Sequence, residues 1–162
     1  MNRLFIAAWL SLATTASAQE LPVTDFSGSY LCKTTAVAGV SKGEDGTWRP
    51  VQFNGTDEAY VVKVEDTGKI IDTVIQDQRV YNVGVKKWGR KEDFDGCYTG
   101  FLNKEVSSGG GELECHHLST QYLFDLHNGR FQIFRKGAYM DRIYRTKPEP
   151  ATITIGECDK ID

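Results

Sequence analysis

Four cysteines constrain the fold of this chain more than any other feature of its sequence: Cys32, Cys97, Cys115 and Cys158. No two of them form a C-x-x-C pair, which argues against thioredoxin-like redox chemistry and against a zinc knuckle. An even number of widely spaced cysteines is typical of disulfides in an exported protein. The sequence therefore predicts two disulfides, for which three pairings exist.

The segments around the cysteines favour one of the three pairings, Cys97–Cys115 with Cys32–Cys158. Cys97 and Cys115 flank a glycine-rich link, VSSGGGE, between two strand-like runs. Such runs can lie side by side within disulfide reach. The remaining pair then ties the first strand of the mature chain to the last. In the chain-entropy model the short loop contributes about 3 kcal/mol and the long loop about 5 kcal/mol.

Residues 1–20, MNRLFIAAWLSLATTASAQE, have the layout of a secretory signal peptide. Arg3 gives a short positive segment, an apolar run follows, and small residues at 16–18 form a cleavage site. A buried N-terminal helix is the alternative, which the lack of acidic residues before Glu20 disfavours. We predict cleavage near Ala18, which leaves one domain at residues 19–162. Its location is the periplasm or the external medium, without a lipid anchor.

The charge of the chain argues against several classes of partner. The chain has 19 Lys and Arg against 22 Asp and Glu, a formal net charge of −3 at pH 7. Removing residues 1–18 takes away one basic residue and no acidic one, which leaves 18 against 22 and a net charge of −4. Nucleic-acid binding needs a basic stripe, and charge-driven docking on an anionic membrane needs a basic cluster. No apolar run after the signal peptide approaches membrane-spanning length.

The mature chain has the pattern of β-strands. No window shows the helical i, i+3, i+4, i+7 spacing with a cap and a stop. Short runs rich in Val, Ile, Thr, Tyr and Phe alternate with Gly, Asn and Asp. The predicted strands are residues 29–37, 48–53, 59–65, 70–75, 79–86, 98–103, 112–117, the two arms of 121–135, and 151–156. We predict an all-β domain of about nine short antiparallel strands, closed or nearly closed into a barrel, with a sandwich as the alternative.

The strongest local signal is QYLFDLHNGRFQIFR, residues 121–135. Asn128-Gly129 stands between two runs that alternate apolar and polar residues. Asn-Gly supplies the positive φ angles of a type I′ turn, whose twist suits a two-residue hairpin. We therefore predict a tight hairpin centred on these two residues.

Several stretches form one pattern that covers most of the mature chain. They are SYLC, AVAGVSKGEDGTW leading into VQF, GGGELEC, YLFDLHNGRFQIF before GAYMDR, and the closing ITIGEC. In this pattern the chain resembles a group of small exported proteins of Gram-negative bacteria and their prophages. The resemblance implies export and a shared fold, and it implies no activity, because none is known for the group.

Two shorter likenesses concern small β-barrels. Tyr30-Leu31-Cys32 is similar to the early Y-x-C strand of periplasmic C-type lysozyme inhibitors, which are disulfide-tied barrels. The later motifs of that family are absent, so no inhibitory residue carries over. Gly46-Thr47-Trp48 matches the Gly-x-Trp of lipocalins, although here it follows a strand instead of opening the first one.

The sequence holds few groups suited to catalysis or metal binding. Glu114 and His116 share a strand face and could help to bind zinc, whereas His116 and His117 point to opposite faces. The carboxylates within residues 92–95 could bind calcium, but the EF-hand spacing is absent. No G-x-S-x-G motif occurs. We predict that the protein is not an enzyme, with a hydrolase as the alternative, and that it uses no metal or other cofactor.

The segment RKGAYMDRIYR, residues 135–145, is the candidate contact surface. It mixes residue types that are common anchors of protein interfaces: Arg135, Tyr139, Met140, Arg142, Tyr144 and Arg145. An ordinary strand and turn is the alternative. We predict an exported barrel that binds another protein, such as a hydrolase that it inhibits. A carrier of a small apolar ligand is the second hypothesis, which the many bulky aromatic residues disfavour.

Thiol titration of the purified mature protein tests the disulfide prediction. Denatured without reductant, the protein is expected to show no reactive thiol, and after reduction it is expected to show all four. Four reactive thiols in exported, unreduced material would contradict both the predicted compartment and the predicted fold.

Overall fold

The computed structural model describes residues 23–55, 57–100, 103–137 and 150–162, and in these ranges the chain is all β. The strands are β1 Gly28–Lys42, β2 Trp48–Phe53, β3 Ala59–Ile71, β4 Gln78–Lys87, β5 Asp95–Gly96, β6 Glu105–Ser108, β7 Glu112–His117, β8 Thr120–Asp125, β9 Arg130–Arg135 and β10 Ala151–Lys160. The prediction of an all-β domain is confirmed. Within the described ranges we find no helix with the length and apolar character of a membrane span. The predicted signal peptide lies outside the described residues.

All ten described strands belong to one antiparallel sheet. Its order is β5-β4-β3-β1-β10-β9-β8-β7, with β2 paired to β1 and β6 paired to β4. The first and last strands lie side by side in the middle, in a register that runs from Tyr30 opposite Lys160 to Val40 opposite Ala151. The β1–β10 pair is therefore the seam at which the two halves of the sheet meet.

Both disulfides join strands or strand ends. Cys32 and Cys158 are directly opposed in the β1–β10 seam and are bonded to each other. Cys97, which follows β5, is bonded to Cys115 of β7. This is the pairing that the sequence favours, and no cysteine is free. Two disulfides indicate an oxidising compartment outside the cytoplasm.

The two outer ends of the strand order approach each other beside the second disulfide. Tyr98 forms an isolated antiparallel bridge with His116 of β7. Each residue donates its backbone N–H to the carbonyl of the other at 2.8 Å. Across the described residues, no continuous ladder of hydrogen bonds closes the sheet.

The alternation of the strands places one face of the sheet in the core. On β3, Tyr60, Val62 and Val64 are buried, while Lys63 and Glu65 are exposed. Successive side chains of a strand point to opposite faces, so one set is buried and the other meets solvent. The inward side chains form a single cluster that includes Tyr30, Cys32, Tyr60, Val62, Val64, Tyr81, Val83, Val85, Leu113, Cys115, Phe124, Phe131, Ile133 and Cys158.

The segment before β1 covers one end of this cluster. The buried Phe26 donates its backbone N–H to the Tyr81 hydroxyl at 3.1 Å, and its carbonyl accepts from the Tyr30 hydroxyl at 2.8 Å. Burial raises the pKa of both tyrosines, so the hydroxyls stay neutral and able to donate. These bonds hold Phe26 against the end of the core.

A bulge and a glycine allow close packing at the seam. The β1–β10 register shifts between Thr34 and Ala36. A Cβ atom on Gly156 would lie 2.1 Å from the carbonyl oxygen of Lys33 and 2.4 Å from the Phe131 ring. Such a contact is too short for any side chain, so this position requires glycine.

Three predicted segments differ from the structure. The strand predicted at residues 70–75 ends at Ile71, and a loop follows up to β4. Of the strand predicted at 98–103, the described residues Tyr98, Thr99 and Asn103 form only isolated bridges, and Gly100 has a positive φ of 63°. Part of the expected glycine-rich link is strand β6, which pairs with β4.

The β8–β9 hairpin is confirmed, but its predicted turn type is wrong. Asp125 pairs with Arg130, so the loop has four residues, and only Gly129 within it has a positive φ, at 62°. The Asp125 carboxylate accepts from the backbone N–H of Asn128 at 3.0 Å and from its side-chain amide at 2.8 Å. These bonds, which lower the pKa of Asp125, hold Asn128 away from the type I′ conformation.

The β7–β8 hairpin has a strained two-residue turn, Leu118-Ser119, between His117 and Thr120. Leu118 has a φ of 51° and is the one described non-glycine residue with a positive φ. Its side chain is 93% exposed, so packing does not compensate for the strain. A left-handed conformation costs an L-residue about 1–2 kcal/mol.

Replacing Leu118 is expected to stabilise the protein. Leu118→Asn should raise the free energy of unfolding by about 0.5–1 kcal/mol, because Asn tolerates positive φ at lower cost. Urea denaturation of the oxidised protein measures the change. Ser119→Asn, at the neighbouring position of negative φ, is the control and should give no gain. A loss of stability in Leu118→Asn would contradict the strain argument.

Candidate functional site

Of the predicted contact surface, the structure describes Arg135, the last residue of β9. The other members, Tyr139, Met140, Arg142, Tyr144 and Arg145, lie outside the described residues. The Arg135 guanidinium donates from Nη2 to the Tyr60 hydroxyl at 2.8 Å. Part of its hydrogen-bonding capacity is therefore used inside the protein, and the contact role of the segment stays a prediction.

Arg135 belongs to a polar network at the end of the core. The Tyr60 hydroxyl donates to Glu58 Oε2 at 2.8 Å, and Lys87 Nζ donates to Glu58 Oε1 at 2.6 Å. Burial raises the pKa of Tyr60 well above its usual value, which nearby Arg135 only partly offsets. Burial also acts to raise the pKa of Glu58, but the bonds from Lys87 and Tyr60 outweigh it, and the pKa is lowered. Tyr60 is therefore a neutral phenol, and Glu58 is an ionised carboxylate whose charge is compensated by Lys87. Such a pair is suited to a structural network and not to nucleophilic catalysis.

The two residues considered as zinc ligands, Glu114 and His116, lie close together, but Glu114 is engaged with another side chain. His116 Nε2 lies 3.8 Å from Glu114 Oε1, and the same oxygen accepts from Gln121 Nε2 at 2.6 Å. His117 points elsewhere, with Nδ1 at 3.1 Å from the carbonyl oxygen of Gly96. Within the part of the chain that the structure describes, no group of three or more His, Cys, Asp or Glu is placed to hold a metal ion.

The acidic residues at 92–95 are similarly dispersed. Glu92 pairs with Arg90 at 3.1 Å, and Asp95 lies 3.8 Å from His117 Nε2. The carboxylates are therefore directed to separate partners instead of to one point.

A surface depression of about 1070 Å³ extends across β7, β8, β9 and β10. Its lining includes Glu114, Leu123, Gln132 and Ile155, which lie opposite one another from strand to strand. This row alternates with the buried row that contains Phe124, so it faces away from the core. Residues of the buried row, Leu113, Phe124 and Phe131, also line the depression. Four carboxylates also line the depression, those of Glu112, Glu114, Asp125 and Glu157.

The two most exposed large hydrophobic side chains of the described residues are Val74 and Ile75, at 105% and 98% relative exposure. They lie in the loop between β3 and β4. Ile70 and Ile71, at the end of β3, are also exposed, at 55% and 46%. We call residues 70–77 the β3–β4 tip. Clustered exposed aliphatic residues are unusual in a soluble protein and mark interaction surfaces.

The strand that leads to the tip, β3, is longer than its pairing with β1. That pairing ends at Val64, opposite Gly28, whereas β3 continues to Ile71. Beyond Val64, β3 remains paired with β4, and β4 pairs on its other side with β6 as far as Arg79 opposite Ser108. The aliphatic side chains therefore lie past the end of the β1–β10 seam.

Hydrogen bonds hold the turn of the tip in one conformation. Thr73 Oγ1 donates to the carbonyl of Gln76 at 2.7 Å and accepts from its N–H at 3.3 Å. Gln76 Nε2 donates to the carbonyl of Gly109 at 2.9 Å, which ties the loop to the link between β6 and β7. Val74 and Ile75 are thus presented on an anchored turn. Our sequence prediction missed this site, because the β-branched run was interpreted as a strand.

Comparisons of the chain with family models, curated proteins and solved structures find no match. The resemblances to known families that the sequence indicates therefore stay predictions. The function is inferred from the geometry of the described residues.

The Glu58 network predicts a pH-dependent contribution to stability. The pKa of Glu58 is lowered from 4.5 in the folded state, so its ionised form stabilises the fold above that value. This contribution is lost as the pH falls through the folded-state pKa. Glu58→Gln should cost about 1 kcal/mol at neutral pH, and the difference from wild type should shrink in acid.

Urea denaturation at neutral and at acid pH measures both differences. Glu44→Gln, an exposed substitution in the β1–β2 turn, is the control and should match wild type at both pH values. An equal cost of Glu58→Gln at both pH values would contradict the electrostatic role.

Proposed function

We propose that this exported protein binds another protein by inserting the β3–β4 tip into an apolar recess of its partner. The observation that carries the proposal is the full exposure of Val74 and Ile75 on a turn held by Thr73 and Gln76. Burial of one such side chain contributes about 1.5–3 kcal/mol. Because the turn is already ordered, little conformational entropy is lost on binding.

Inhibition of a hydrolase is one form that this binding could take. Enzyme active sites are concave, and an ordered turn with two fully exposed aliphatic side chains can enter such a cleft. The projection of β3 beyond its pairing with β1 supports this arrangement.

The alternative, carriage of a small apolar ligand in the interior, has less support. Large aromatic side chains occupy the inward face, among them Tyr30, Tyr60, Tyr81, Phe124 and Phe131, and Phe26 packs at one end. The large depression is lined by outward residues together with the core residues Leu113, Phe124 and Phe131, and its four carboxylates make burial of an apolar molecule costly.

We further propose that the sheet closes into a barrel and that the protein reaches the periplasm or the external medium after signal-peptide cleavage. The Tyr98–His116 bridge and the Cys97–Cys115 disulfide support closure, because both connect the outer ends of the strand order. Two disulfides support export, since they form in oxidising compartments.

Removing the aliphatic side chains of the tip is expected to abolish partner binding. The double variant Val74→Ser/Ile75→Ser should capture at least about 100-fold less partner from an extract of the export compartment, given the loss of two buried side chains. Its thermal unfolding should match wild type, because both side chains are exposed. Capture is measured with immobilised mature protein and quantitative mass spectrometry.

The matched control is Ile153→Ser, a half-exposed isoleucine on β10 that should leave capture unchanged. Equal capture by wild type and the double variant would contradict the proposal. Absence of any captured protein, together with a bound lipid in native mass spectrometry, would favour the carrier hypothesis.

A further inference from the structure

We infer that the recess which receives the β3–β4 tip is rimmed by Lys or Arg side chains of the partner. This inference rests on the proposed function and adds the chemistry of the partner to it. It follows from the arrangement of charges around the tip, where the cations are neutralised within the protein and two carboxylates are not.

Both cations that flank the tip are already paired. Lys69 Nζ lies 2.5 Å from Glu105 Oε1, and Arg79 Nη1 lies 2.6 Å from Asp66 Oδ2. The Arg79–Asp66 pair is the better shielded, since about three quarters of each side chain is covered. These two pairs compensate the positive charges nearest the tip.

Two carboxylates bracket the exposed aliphatic pair. Asp72 precedes the turn and Asp77 follows it, one on each arm of the loop. Among the described residues, neither carboxylate has an ion-pair or hydrogen-bond partner. The tip therefore presents an apolar centre with an anionic edge and a net charge of −2.

This pattern decides which surface can receive the tip. A wholly apolar or acidic rim would remove water from the carboxylates of Asp72 and Asp77 without offering them new hydrogen bonds. The free energy lost in this way exceeds the free energy gained by burying one aliphatic side chain. A rim of Lys or Arg offsets that cost and attracts the tip before contact. A second copy of this chain is a poor partner by the same reasoning, because the mature protein carries a net negative charge.

The test first obtains the partner as a defined probe. A benzophenone amino acid at position 75 cross-links the protein that contacts the tip, which is then identified and purified. Its dissociation constant is measured at about 50 mM and about 300 mM NaCl, where screening differs strongly. The variants are Asp72→Asn/Asp77→Asn, Val74→Ser/Ile75→Ser, and a charge-matched control, Glu44→Gln/Asp93→Asn, at exposed sites elsewhere.

The Asp72→Asn/Asp77→Asn variant is expected to bind about 10-fold more weakly at low salt and to lose most of the salt dependence. The charge-matched control should stay within about 2-fold of wild type. Unchanged or tighter binding of the Asp72→Asn/Asp77→Asn variant, with Val74→Ser/Ile75→Ser inactive, would overturn the cationic rim and leave the proposed function intact. Wild-type binding by Val74→Ser/Ile75→Ser would overturn the proposed function as well.

Discussion

The pairing of the first strand with the last is the interaction on which the rest of the structure depends. β1 and β10 adjoin over most of their length, and every other strand attaches to one side of this seam or the other. The two strands lie far apart in the sequence, so bringing them together has a large entropic cost. The Cys32–Cys158 disulfide, with a separation of 126 residues, offsets about 5 kcal/mol of that cost.

The seam and the aromatic core hold the sheet together, whereas the β3–β4 tip lies beyond the seam with its aliphatic side chains exposed. β3 remains hydrogen-bonded to β4 after its pairing with β1 has ended at Val64, and β4 is paired with β6 as far as Arg79, so the strands that lead to the tip keep their shape. The Thr73–Gln76 bonds and the link to Gly109 then orient its apolar end. The register of β3 against β1 fixes where their pairing ends, and the residues of the tip lie beyond that point.

The part of the fold that could be predicted followed from the alternation of apolar and polar residues and from the spacing of the cysteines. Tyr60, Val62 and Val64 alternate with polar residues, which a half-buried strand requires, and the cysteine positions favoured the observed pairing. Turns were less predictable, because their conformation depends on which side chain bonds to which backbone group. The carboxylate of Asp125 turned an expected two-residue hairpin loop into one of four residues. Likewise, the Thr73 hydroxyl ended a β-branched run that resembles a strand.

The sequence by itself determined the fold class, the location of the core on one face of each strand, and the oxidising compartment, because these follow from local periodicity and cysteine chemistry. Only the tertiary structure decided the strand order, the place of β6, and the exposure of Val74 and Ile75. Strand order depends on pairing between distant segments, and exposure depends on where that pairing stops. Neither strand order nor side-chain exposure can be predicted from a short stretch of residues. The candidate site was therefore recognised only once the register of β3 against β1 was known.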